Sequence, residues 1–231
     1  MTYSGDVRPG GPSAVRELDR VVIRKLSVGP MDNNAYLLSC RSTGSQLLVD
    51  AAAEPERLLE LVREGSPAGR LDAVVTTHQH RDHHGALEAI VAATGARTLA
   101  GRTDAPALPV PVDEPLDGGE VLEIGALHLE IIALRGHTPG SVAVVLREPE
   151  EVSFPEALAG RAHLFTGDSL FPGGVGSTGR DPERFAQLFG DVRERIFGRF
   201  EDETWVYPGH GKDTRLGVER PQLEEWRSRG W

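Results

Sequence analysis

The sequence predicts a mixed α/β (α+β) fold, and three observations carry that prediction. Short apolar or β-branched runs bounded by turn residues recur along the chain, as in 21–23, 46–50, 71–75 and 162–166. Between them lie segments such as 54–64 and 182–197 with apolar residues at helical spacing. Several of the strand-like runs are followed within three residues by histidine or aspartate, which places reactive side chains near strand ends.

Composition narrows the class of molecule. At 231 residues, 39% hydrophobic and with 27 glycines, the chain suits one loop-rich globular domain with a sizeable core. A net charge of −10 disfavours nucleic-acid backbones and anionic membrane surfaces, both of which need a basic face. No apolar run approaches the length of a membrane span, and 1–13 lacks the apolar core of a signal peptide. A cytoplasmic protein is expected. Cys40 is the single cysteine, so an intramolecular disulfide and a thiolate metal cluster are both excluded; following Tyr36, Leu37 and Leu38, it reads as a buried structural thiol.

Residues 1–18, with scattered Gly, Pro and charge, are expected to be a mobile leader, and 19–231 a single domain. The first strand opens at Val21-Val22-Ile23, a turn covers 28–34, and 35–40 returns as its partner. A third strand at 46–50 precedes a helix over 54–64, with Leu58, Leu59, Leu61 and Val62 on its apolar side. After 71–75 comes a helix over 86–93, then a Pro-rich surface connection over 105–115. The runs 121–124 and 127–134 form a strand pair turned at Gly125, leaving His128 exposed beside Glu130. A strand over 141–146 leads into an acidic insertion at 148–160 with no assigned role. Strands over 162–166 and 205–207 flank the helix 182–197, and 218–226 closes the chain as a helix broken at Pro221.

The chemistry concentrates in Thr76-Thr77-His78-Gln79-His80-Arg81-Asp82-His83-His84-Gly85. Four of the eight histidines fall within seven residues there. Neutral imidazole is the commonest transition-metal ligand, and carboxylate is a compatible partner. His78 and His80, two apart on an extended segment, point the same way and can reach one metal; Asp82 and His83 lie past the strand end, where the chain turns toward a second. Three further segments share one grammar of strand, glycine and metal-competent residue: Gly136-His137-Thr138-Pro139-Gly140, Thr166-Gly167-Asp168, and Pro208-Gly209-His210-Gly211. Pro139-Gly140 suits the centre of a type II turn, which would hold His137 on a rigid loop. Each is ordinary turn chemistry alone; with the His cluster they supply ligands from several strand ends.

This ordered set, His-x-His-x-Asp-His, Gly-His-Thr-Pro-Gly, Thr-Gly-Asp and Pro-Gly-His-Gly, resembles the metallo-β-lactamase superfamily over roughly residues 20–217. The resemblance implies a four-layer αββα sandwich with a dimetal site at one edge of its sheets. One metal would be bound by His78, His80 and His137, the other by Asp82, His83 and His210, with Asp168 bridging. Within the superfamily the chain looks most like the glyoxalase II group, on Gly29-Pro30, Asn33 to Leu37, 166–171 and 207–211. Gly85-Ala86 stands where that group usually has Gly-Gly. Full-length glyoxalase II carries a C-terminal helical domain that binds glutathione, whereas 21 residues follow His210 here, so the thiol carrier is left open.

The implied activity is thioester hydrolysis by a hydroxide bridging two divalent ions. Zn²⁺ is the first expectation, with iron or manganese compatible with the same ligands. Asp82 and Asp168 are the expected catalytic carboxylates, Asp82 also orienting the hydroxide. The substrate would be a small acyl thioester, with no nucleic-acid or membrane partner; a homodimer is compatible with all of this. Two alternatives share the fold: an iron-dependent persulfide dioxygenase-like oxidoreductase, and a β-lactam or other ester hydrolase. His84 is expected to be exposed at a helix start, His163 to be structural, and the glycine-rich loop 172–179 to line the substrate mouth.

Overall fold

The computed structural model describes residues 3–230. Two sheets face each other. The first runs in the order β1 (Ala14–Glu17), β2 (Val21–Val28), β3 (Asn33–Cys40), β4 (Gln46–Val49), β5 (Ala73–Thr76), β6 (Arg97–Gly101) and β7 (Glu114–Leu116). Its β1–β4 half is antiparallel and its β4–β7 half parallel. The parallel half needs crossovers, supplied by α1 (Pro55–Gly65) and α2 (Leu87–Thr94) between β4 and β6. The second sheet is built from β8 (Val121–Ile124), β9 (Leu127–Ala133), β10 (Val142–Arg147) and β11 (Ala162–Gly167), continued by β14 (Trp205–Pro208) and β15 (Thr214–Arg215). A small hairpin of β12 (Leu170–Phe171) and β13 (Gly174–Val175) follows β11. The helices α3 (Pro182–Asp191), α4 (Leu216–Glu219) and α5 (Leu223–Arg229) complete the order.

The layering follows from the two-residue period of the strands. On β3, Tyr36, Leu38 and Cys40 enter the core between the sheets, while Ala35 and Leu37 pack outward with α1 and α2. On β10, Val142, Val144 and Leu146 face the same central core, while Ala143 and Val145 pack against Phe185, Leu188 and Trp226 of α3 and α5. The central strands of both sheets are therefore buried on both faces, which is why they read as continuous apolar runs. The result is a helix–sheet–sheet–helix sandwich of mixed α/β content, as expected from the sequence.

Three expectations need correction. The mobile leader does not describe residues 3–18: Ala14–Glu17 pairs with β2, Tyr3 and Leu18 are buried, and Arg16 is 3% exposed with its guanidinium over the Trp205 ring. Met1 and Thr2 lie outside the described residues. β1 is an edge strand with polar Arg16 and Glu17, so its period-two signal is weak. The strands β6 and β7 add order where a helix-to-loop passage was expected; β7 tolerates Pro115 because it is an edge strand. The helix expected over 182–197 is α-helical only to Asp191 and continues as a π-helical turn over Val192–Phe197.

The insertion over 148–160 packs on the N-terminal segment. Ser153 donates through N and Oγ to Asp19, and the amide of Tyr3 donates to Glu156. Cys40 is buried and His128 exposed, as expected. No helix among the described residues is long and apolar enough to cross a membrane.

Candidate metal centre

The C-terminal ends of β5, β9, β11 and β14 meet at one edge of the sandwich and deliver all seven expected residues to one place. Asp50, at the end of β4, organises the His78–His83 segment. Its Oδ1 accepts the Thr77 amide at 2.7 Å, and its Oδ2 accepts the Thr77 hydroxyl at 2.8 Å and His83 Nδ1–H at 2.9 Å. His83 thereby turns Nε2 toward the site, and His78 Nδ1 lies 3.1 Å from the Thr77 hydroxyl.

A second buried carboxylate, Asp104, ties two ligand loops together. It accepts from the Gln79 amide at 3.0 Å, from the Gly140 amide at 2.7 Å and from the Thr138 hydroxyl. This corrects the type II turn expected at Pro139-Gly140, which needs positive φ at the glycine. Gly140 is not among the residues with positive φ. A side chain there would sit 2.5 Å from the Asp104 amide nitrogen, so glycine serves close approach. Across the loop, His137 Nδ1–H donates to the Ser177 carbonyl at 2.7 Å, and Arg184 on α3 donates to the Gly136 and His137 carbonyls.

His210 follows β14, with Nδ1–H donating to the Met31 carbonyl at 2.9 Å. Asn33 reaches Asp82 Oδ2 at 2.9 Å and pairs through its backbone with His210. Gly209 passes so near that a Cβ would lie 2.2 Å from Asp168 Oδ1 and 2.6 Å from His83 Cε1.

Within this frame the site falls into groups whose ligand atoms lie within 4.8 Å of one another: His78, His80 and His137; Asp82, His83 and His210; and His78, His83 and Asp168. His80 Nδ1 lies 3.1 Å from His78 Nε2 and 2.9 Å from His137 Nε2. His83 Nε2 and His210 Nε2 lie 3.1 Å apart, and Asp82 Oδ2 lies 3.5 Å and 3.3 Å from them. Asp168 sits between, with Oδ2 3.5 Å from His210 and 3.7 Å from His137. Tetrahedral ligation at about 2.0–2.1 Å separates ligand atoms by about 3.3 Å, so these spacings fit a first-row metal.

The chemistry of the donors points the same way. A neutral imidazole carries one N–H. In their neutral forms His137, His83 and His210 commit that proton through Nδ1, which leaves the Nε2 lone pairs converging on one another. Asp168 Oδ1 is buried without a hydrogen-bond partner, with His83 Nε2 3.3 Å away. Converging lone pairs beside an orphaned carboxylate oxygen are what a cation satisfies.

Electrostatics divide the site. Burial pushes the imidazoles of His78 and His137 below their ordinary range, so both are neutral donors. Burial also acts against the cation on His83, but Asp50 and Asp168 outweigh it and raise the pKa to about 10. The same contest raises His210, through Asp168. Burial would raise Asp168 and Asp82; His210 and His83 hold the first well below the carboxylate range, and Asn33 and His83 hold the second below it.

His84 is buried, not exposed: its Nε2 donates to the Gln79 carbonyl at 3.0 Å, bracing the turn that carries the ligands. His163 is fully buried between the Tyr207 hydroxyl and Glu148, remote along β11 from Asp168. Asp50, Asp104 and Asn33 went unassigned in the sequence; Asp50 closes the apolar run 46–49 and Asp104 sits in a polar turn, and neither position carries a local signal.

Comparison with known proteins agrees with this geometry. A family profile described as the metallo-beta-lactamase superfamily matches residues 28–152, more than half of the chain. A hydroxyacylglutathione hydrolase of Fuscovulum blasticum is 38% identical over 68% of this chain and 56% of its own length. Another, of Polaromonas sp. (strain JS666 / ATCC BAA-500), is 31% identical over 77% of this chain and 62% of its own. The chain thus spans between half and two thirds of the length of those relatives. A solved structure, TTHA1623 in a di-iron-bound form, is 31% identical with a TM-score of 0.65, covering 85% of this chain and 96% of that one. With the profile match and the sandwich in agreement, the chain belongs to the metallo-beta-lactamase superfamily.

Proposed function

We propose that the protein is a metal-dependent hydrolase that cleaves an acyl thioester. In this reading His78, His80 and His137 hold one divalent ion, Asp82, His83 and His210 hold a second, and Asp168 serves both. The observation that carries it is the convergence of lone pairs described above: His83 Nε2 and His210 Nε2 stand 3.1 Å apart with both Nδ1 protons committed elsewhere. Membership of the superfamily implies a divalent, usually dinuclear, centre, and the relatives named hydroxyacylglutathione hydrolase favour the thioester. Zinc suits the ligands; the di-iron form of TTHA1623 makes iron the alternative to measure.

Bound there, two such ions supply a nucleophilic water at neutral pH and a Lewis acid for the carbonyl oxygen. The chain's own residues do the rest. Asp82 is kept ionised, with Oδ2 accepting from Asn33 while facing His83 and His210, so it can take a proton from the attacking water. Asp50 fixes the His83 ring through Nδ1, and Asp104 holds the backbone of the two loops that carry His80 and His137. A thiolate leaving group needs little acid assistance, because thiol pKa values lie near about 8.5. Phe171, its ring 6.4 Å from that of His210, and the exposed Met31, whose carbonyl accepts from His210 Nδ1, would give the mouth an apolar lip for the acyl group.

The test is a panel of acyl thioesters and persulfides assayed on protein purified without added metal, with metal content and oxygen uptake measured in parallel. Thioester cleavage without oxygen consumption is expected. Oxygen uptake on a persulfide, with no thioester cleaved, would replace hydrolysis by the oxidative reading.

A further inference from the structure

The turn that carries His210 is glycine-rich, Pro208-Gly209-His210-Gly211, and has little stiffness of its own. The first sheet supplies that stiffness by taking its carbonyls. Pro208 O accepts from Asn34 Nδ2 at 2.9 Å and from the Tyr36 hydroxyl at 2.7 Å, and Gly209 O accepts from the Asn34 amide at 2.8 Å. Gly211 O, next to His210, accepts from Asn34 Nδ2 at 3.0 Å and from Lys25 Nζ at 2.7 Å.

Lys25 is unusual for its kind. Its side chain is 0% exposed, and its ammonium makes three hydrogen bonds: to Gly211 O, to Gly5 O at 3.0 Å and to Asp213 Oδ1 at 2.7 Å. That uses all three donors of the group. Asp213, 2% exposed, accepts on Oδ2 from the Tyr3 hydroxyl at 2.9 Å and Trp205 Nε1 at 3.0 Å. Burying such a pair gains little net stability over a well-packed apolar pair. An apolar pair would join the sheets as well, but could not hold a carbonyl. The ammonium grips the His210 turn at Gly211 and at Asp213, and Tyr3 and Gly5 close over it.

We propose that Lys25, seated on Asp213 and Tyr3, is a positioning residue for His210, and that it sets the metal affinity of the Asp82–His83–His210 group selectively. The inference rests on reading His210 as a ligand. The three-histidine group shares none of these contacts; it is held by Asp104, Thr77, Ser177 and Arg184. On this account the N-terminal segment, through Tyr3 and Gly5, belongs to the support of the site.

The experiment is a Co²⁺ titration of the metal-stripped full chain against a chromophoric chelator. His210→Ala identifies which equivalent belongs to the His210 group. Two variants are compared with the unaltered protein: Lys25→Met/Asp213→Asn, which leaves no lone buried charge, and Tyr3→Phe, which keeps the ion pair. The double variant is expected to weaken the His210 equivalent about 10- to 100-fold, the usual cost of losing an outer-shell partner, and to leave the other within a factor of about two. Tyr3→Phe should weaken the same equivalent a few-fold, and it decides the matter if the double variant does not fold. Equal weakening of both equivalents, or no change at the His210 equivalent, would overturn the proposal. One equivalent in the unaltered protein, or no loss in His210→Ala, would instead defeat the two-ion reading on which it stands.

Discussion

The two candidate ligand groups sit side by side and are built on different principles. His78, His80 and His137 come from two loops that Asp104 ties together, and burial keeps His78 and His137 neutral. Asp82, His83 and His210 are surrounded by carboxylates, so His83 and His210 attract a positive charge whether it arrives as a proton or as a metal ion. On the proposed reading, the first group would select a metal by geometry and the second by charge as well. Asp168 faces both, which makes it the natural place to test whether they act as a unit.

The largest effect is therefore expected from Asp168→Ala. Both metal equivalents should weaken and thioester hydrolysis should fall by more than about 10²-fold, the scale of losing a central electrostatic stabiliser. Loss of one equivalent with the other intact, read by metal analysis, would show that the groups are independent. Next in size is Asp104→Ala. With Gln79, Thr138 and Gly140 released, affinity at the three-histidine group should fall about 10- to 100-fold while the His210 equivalent is spared. A chelator titration that found the two equally weakened would break the contrast drawn here.

The smallest effect belongs to a region that serves neither group. His163 lies at the other end of β11 from Asp168, with Nε2 2.8 Å from Glu148 Oε1 and Nδ1 2.9 Å from the Tyr207 hydroxyl. Burial lowers its pKa to about 4, against about 6.5 for an ordinary imidazole. Between those values the unfolded chain binds the extra proton, so stability is full above about pH 6.5 and is lost as pH falls toward 4. The slope is about 1.4 kcal/mol per pH unit. Denaturant unfolding from pH 7 to pH 4 should show this acid limb, and His163→Asn should flatten it; an unchanged slope would assign the limb to other groups.

What could be read from the sequence follows the range of the interactions. The seven converging residues were legible because each lies in a short string where strand, glycine and ligand are neighbours in the chain. The strands with continuous apolar runs, β3, β5 and β10, were legible for the same local reason. The strand β1 was not, because an edge strand with Arg16 and Glu17 lacks the pattern, and β7 was not, because Pro115 argues against any strand. His84 was misjudged because its partner is a backbone carbonyl, to which any sequence is blind.

By itself the sequence determined the sheet-and-helix class and which residues to look for at one edge of the sandwich, in their order along the chain. Those depend on periodicity and on side-chain chemistry, which are properties of neighbouring residues. Only the tertiary structure decided that Asp50 steers His83 and Asp104 joins the loops of His80 and His137, that His83 and His210 meet 3.1 Å apart, and that Lys25 reaches across 186 positions to Gly211. A buried charge or carboxylate takes its role from whatever it faces, and what it faces is settled when two sheets pack, not along either strand.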